Sequence, residues 1–114
     1  ISYNTSSDRR LKTNIVTTDL NGIETIKQMP VVNFAFKDAP NYMHTGFIAQ
    51  DIEKAFPEAV SVNENGYLQL ALPTLVPVLT KAIQEQQEII DSQKTKIDEL
   101  EERILKLEKL ITNH

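Results

Sequence analysis

The chain has 114 residues, with 12 Lys and Arg against 16 Asp and Glu and a formal charge of −4 at pH 7. That is room for one compact domain plus an appendage, not for two domains. The acidic balance argues against a nucleic-acid binder, whose basic face must neutralise phosphates. Apolar runs of only a few residues offer no membrane span, and the absence of cysteine excludes disulfides and thiolate metal sites. The sequence opens at Ile1 without a signal peptide, as expected of a piece of a longer polypeptide.

Taken in chain order, Thr17-Thr18-Asp19 offers N-cap oxygens to a short helix carrying Leu20, Ile23 and Ile26 and ending near Met29, ahead of Pro30. Val31–Lys37 alternates as a strand, with Val32, Phe34 and Phe36 on one face, and Asp38–Asn41 reads as a turn. Gly46–Ala49 is a second short strand, followed by a helical turn or two from Asp51 to Phe56. Ala59–Val62 and Tyr67–Leu70 flank Asn63-Glu64-Asn65-Gly66, a hairpin signal. Phe34, Phe36, Phe47 and Ile48 are the expected core. Asp51 and Glu53 are expected to be solvated, and His44 to lie in a loop without metal partners. All three glycines precede Pro73, and neither glycine nor proline follows Pro77. The expected fold is therefore α+β: a small mixed α/β N-terminal unit followed by a long C-terminal helix. The small unit has a thin core, marginal without oligomerisation.

The helix carries a heptad seam. With Ile83 at position a, the same position recurs at Ile90, Ile97, Ile104 and Ile111, and position d holds Leu79, Gln86, Gln93, Leu100 and Leu107. Isoleucines at strict seven-residue spacing make a left-handed coiled coil, with Ile89 able to pack on the chain's own domain. In a parallel coil, position g meets position e of the next heptad on a neighbour, which pairs Lys96 with Glu101 and Arg103 with Glu108, opposite charges both times. Parallel is the favoured direction. Ile at a with Leu at d leans towards two strands, Gln86 and Gln93 break that pattern, and the seam alone is compatible with two or three.

Near the N-terminus, Ser7 precedes Lys12 by five residues. Serine is a weak nucleophile until a base takes its proton, and a lysine whose charge is disfavoured by burial can be that base. The only histidines are His44 and the terminal His114, so no Ser/His/Asp set competes. Spacing alone is weak support, since a polar arm with Asp8 capping a turn and Arg9 and Arg10 in solvent would read the same way. No glycine-rich phosphate loop is present, and no cofactor or metal is expected.

The motifs around this pair are more specific. Ser7-Asp8-Arg9-Arg10-Leu11-Lys12-Thr13-Asn14-Ile15 is followed in order by Pro30–Phe34, Thr45-Gly46-Phe47-Ile48-Ala49-Gln50-Asp51-Ile52, Phe56–Val60, Tyr67–Leu70 and Ala82-Ile83-Gln84-Glu85-Gln86. Together these segments resemble the C-terminal intramolecular chaperone domain of phage tailspikes and tail fibres, the S74 peptidase family. The resemblance implies a homotrimer that registers the upstream fibre domain of the same precursor while it folds and then cuts itself off. The coiled coil would be three-stranded. The dyad would be Ser7 and Lys12, the scissile bond Ser6–Ser7, and the enzyme a single-turnover serine endopeptidase. Residues 1–6 would end the fibre segment, 7–72 form the chaperone unit with the cleavage motif, and 73–114 the trimerisation helix. The implied partners are the chain's own copies and its fibre, with no nucleic acid or membrane. The implied setting is the host cytoplasm during virion assembly. Two alternatives share the pattern: a structural trimerisation module that is never cut, and a cellular membrane-tethered transcription regulator, which would need flanking domains.

Overall fold

A computed structural model describes residues 5–113 of the chain. Ile1–Asn4, most of the expected fibre remnant, and His114, the expected end of the helix, lie outside the described residues.

The order of elements is that expected, with shifted boundaries. A 3-10 turn at Arg9–Leu11 is followed by α1 (Gly22–Ile26), β1 (Val32–Phe34), β2 (His44–Gly46), α2 (Ala49–Ala55), β3 (Val60–Val62), β4 (Leu68–Leu70) and α3 (Val76–Thr112). Two separate antiparallel hairpins form, β1 with β2 and β3 with β4. Val32 faces Gly46 and Phe34 faces His44 in the first; Val60 faces Leu70 and Val62 faces Leu68 in the second. The β3–β4 turn is built as its residues require. Asn63 Oδ1 accepts from the N–H groups of Asn65 and Tyr67 at 2.9 and 3.0 Å, and Gly66 takes φ +83°, where a side chain would be strained.

Helix α1 corrects the expected cap. Asn21, not Thr17–Asp19, caps it, accepting from Glu24 N–H at 3.1 Å, while Thr18 Oγ1 takes only Leu20 N–H in a local turn. The helix ends at Ile26, and Met29 follows in a turn closed by its N–H on Ile26 O. β1 is shorter than expected because the chain turns from Phe36 onward, where Ala39 N–H bonds back to Phe36 O. β2 starts earlier, so His44 is a strand residue and not part of a loop, and Phe47 and Ile48 lead into α2, which covers Ala49–Ala55 instead of Asp51–Phe56.

The core is not built on the aromatic residues. It consists of Met29, Ile52, Ala59 and Leu75, with Ile26, Phe47, Ala55, Phe56, Val60 and Leu70 packed around it. Phe36 is 57% exposed and Ile48 40%, against the expectation for both, while Phe34 and Phe47 are half-buried. Alternation alone misplaces Phe36 and Ile48 because both lie beyond the ends of β1 and β2, where no ladder fixes an inward face. Phe34 and Phe36 pack instead with His44 in an aromatic cluster, ring centroids 5.3–5.5 Å apart, with Tyr42 against His44 at 4.9 Å. Asp51 is half-buried and Glu53 exposed.

Leu72–Leu75 form a 3-10 turn opened by Pro73, and Pro77 sits in the first turn of α3, where a missing N–H costs nothing. From there 37 residues run without interruption, about 55 Å at 1.5 Å per residue. The molecule measures 79 × 47 × 27 Å, so the helix projects far beyond the unit that starts it. Its first turns are held by α1. Val78 and Ala82 are buried, and a Cβ on Gly22 would lie 2.8 Å from Ala82 Cα and collide with its N, so only glycine permits this approach. The Gly22 and Ile23 N–H groups donate to Glu85 Oε2 and Oε1 at 2.8 and 2.9 Å. The carboxylate of one helix thus closes the N-terminus of another. Among the described residues no helix is long and apolar enough to cross a membrane.

Candidate functional site

The N-terminal motif folds on itself. Asp8 caps the 3-10 turn, its Oδ1 accepting Arg10 N–H at 2.8 Å, and the turn is closed by Leu11 N–H on Asp8 O and Lys12 N–H on Arg9 O at 3.0 and 3.1 Å. Arg10 returns its guanidinium to the same carboxylate, Nε to Oδ1 at 3.1 Å and Nη2 to Oδ2 at 2.9 Å. These bonds hold the Asp8 carboxyl below its ordinary value, first through the Arg10 side chain and then through its backbone N–H, and hold Arg10 above its own.

The consequence is a reversal of the chain that brings Lys12 back to Ser7. Lys12 Nζ lies 2.6 Å from Ser7 Oγ, a hydrogen bond between the two side chains named from the sequence. Ser6 and Ser7 are exposed, as is Lys12. This contact is the geometry a hydroxyl and its proton acceptor need. Arg10 is engaged by Asp8 and not left in solvent, whereas Arg9 makes no side-chain ion pair among the described residues. Among the described residues of a single chain, both side chains of the pair are exposed.

The seam residues run the length of α3, from the turns beside α1 outward. Leu79, Ile83, Gln86, Ile90, Gln93, Ile97, Leu100, Ile104, Leu107 and Ile111 all lie on α3, and all are exposed in the single chain. They form a stripe beside the face that packs on α1, with Gln93 at its edge. No group of three or more His, Cys, Asp or Glu side chains among the described residues could hold a metal ion.

With this geometry in place, the comparison with known families is decisive for the first half of the chain. The model of the peptidase S74 family, described as chaperone of endosialidase, matches residues 7–61. Over that stretch, just under half of the chain, the sequence is similar to that family. The match opens on Ser7 itself, runs through α1, β1, β2 and α2, and ends within β3. No curated protein matches the sequence. The family places a chaperone domain here, and its peptidase title fits the serine–lysine contact.

Sequence reasoning missed Glu85, although it lies inside one of the motifs that carry the resemblance. A readable signal existed: a short helix opening on Asn21-Gly22 leaves N–H groups unfilled, and an acidic residue one turn beyond a small one on a packing helix can fill them.

Proposed function

We propose that the chain is an intramolecular chaperone that trimerises through α3, holds an upstream viral fibre or tailspike in register during folding, and then releases itself by cutting Ser6–Ser7. The observation that carries this reading is the 2.6 Å contact between Ser7 Oγ and Lys12 Nζ at the first residue of the family match.

The chemistry follows from position. Ser7 lies immediately after the bond to be cut, so its Oγ can attack the Ser6 carbonyl carbon. Lys12, as a free amine, takes the hydroxyl proton and delivers it to the departing Ser7 nitrogen. The C–N bond breaks, an ester joins Ser6 to Ser7 Oγ, and water then hydrolyses it to a Ser6 carboxylate and a free Ser7 amine. In a second version the pair activates a water that attacks the same carbonyl. Both need Lys12 without its proton. Burial of the ammonium by neighbouring chains would favour that form, and this would couple cutting to assembly.

The reason to cut is kinetic. An attached chaperone contributes to both folding and unfolding of the fibre; once it leaves, the fibre has no registered route back, and its persistence becomes a matter of unfolding rate. Three tethered ends raise the local concentration of fibre strands, and Gln86 and Gln93 act as polar layers that set register or strand number at some cost in stability. The setting would be the host cytoplasm during virion assembly, with the domain lost from the mature fibre.

The test is the intact mass of a chain carrying its natural upstream segment, as the parent and as Ser7→Ala and Lys12→Ala. We expect two pieces from the parent, one beginning at Ser7, and a single uncut species from each variant. An uncut parent that still forms trimers would instead make the domain a permanent trimerisation module.

A further inference from the structure

Beyond the point where Gly22 meets Ala82, α1 and α3 leave an open groove of about 580 Å³. Ile23 and Ile89 give it apolar walls, Glu24, Glu85 and Glu88 border it, and Gln93 closes its far end. No lysine or arginine lines it. Glu85 is engaged by α1, Glu24 has a loose 3.5 Å contact with Lys27, and Glu88 makes no ion pair among the described residues.

The place of this groove on the heptad wheel decides what can reach it. With Ile83 at a, Val78 and Glu85 fall at c and Ala82 and Ile89 at g, and c and g lie on the side of the helix next to d. The N-terminal unit therefore packs on the flank of the seam. In a parallel coil the neighbour that meets a g position does so with its e position of the next heptad. Opposite Ile89 that residue is Lys94 of the partner subunit.

We propose that this groove receives Lys94 of the partner subunit and thereby locks the register of the assembly; the inference rests on the parallel self-association proposed above. The four-carbon stem lies along Ile89 and Ile23, and the ammonium reaches the bordering carboxylates. The charge pattern inverts at this level. Below it, the cations Lys96 and Arg103 sit at g and meet Glu101 and Glu108 at e; here the cation sits at e and the anions beside g. The inversion penalises a slip of one heptad in either direction. One slip brings Glu101 of the partner subunit to an acidic groove, and the other sets the partner's Lys94 against Lys96. Like charges in those positions disfavour both wrong registers.

The chain's lack of cysteine allows a clean test. Chains carrying Ile23→Cys and Lys94→Cys are mixed, assembled and mildly oxidised. We expect a disulfide between the two kinds of chain, because within one chain position 94 lies on the opposite side of α3 from the groove. Native mass of the unsubstituted chain is measured first. Absence of any association would overturn the self-association itself, whereas normal association without the mixed cross-link would overturn only the groove's occupant. Lys94→Glu should weaken association on the order of tenfold, since three equal contacts multiply a small effect, and Lys94→Met should weaken it less. Glu24→Lys combined with Lys94→Glu should recover much of the loss. Association of Lys94→Glu equal to the parent's would sink the charge argument.

Discussion

Val78 and Ile97 are both apolar residues of α3, yet Val78 is wholly buried and Ile97 is 53% exposed. The first belongs to the part of the helix covered by α1 and the core, the second to the part that leaves them. The covered turns are stabilised within one chain, by Gly22 against Ala82 and by Glu85 across the α1 N-terminus. The projecting part carries an exposed stripe of isoleucine and leucine, and most of a helix's stability in a protein comes from packing such a face rather than from propensity. The difference teaches that one helix answers to two requirements: its beginning completes a small domain, and its remainder presents an exposed apolar stripe, the surface proposed above to meet copies of the chain.

The sharpest way to break that division is Ile97→Asp. Each seam isoleucine buries about 2 kcal/mol of apolar surface in an assembly, and the variant inserts a charge at every copy. Native mass should show association abolished and circular dichroism a loss of helix, while the core around Ile52 keeps its folded signature. If the same chain with its upstream segment still cut itself at the parent rate, cleavage would not depend on assembly. Gly22→Ala strikes the other part. Its Cβ has no room against Ala82, so we expect about 1–3 kcal/mol of destabilisation in urea titration, with α1 displaced. Gly66→Ala, at φ +83° in a turn with open space around it, should cost about 1 kcal/mol or less by the same measurement and leave association unchanged.

The last prediction concerns pH. The N–H groups of Ile23 and Gly22 hold the Glu85 carboxyl below its ordinary value of 4.5. A carboxylate lowered by folding contributes stability that is fully present above pH 4.5 and is lost as pH falls through the lowered value. Stability measured by denaturant across this acid range should fall, and Glu85→Gln should flatten that dependence. An unchanged slope in the variant would mean that the α1–α3 junction does not report through Glu85.

Much of this molecule was legible in advance where chemistry is local. The Asn63–Gly66 hairpin, the sequence of elements, the long helix after Pro73 and the Ser7–Lys12 pair all depend on neighbours in the chain. Asp8 was recognisable as a turn cap because its acceptor serves an N–H two residues away. The errors fell where partners are distant. Phe36 and Ile48 look apolar enough for a core, but no layer covers them. Asn21 displaced Thr17–Asp19 as the cap of α1 because α1 is positioned by α3, and Glu85, 63 residues from Gly22, supplies the second cap.

By itself, then, the sequence determined the division into a compact unit and a heptad-bearing helix, and it put a hydroxyl within one tight turn of an amine. Those features follow from periodicity, turn residues and backbone reach, which act over a few residues. Only the tertiary structure decided which face of α3 the small unit occupies, that Ile52 and not the aromatic residues anchors the core, and that an acidic groove opens beside the seam. These depend on close packing between segments far apart in the chain, where one missing Cβ at Gly22 sets how near two helices can come.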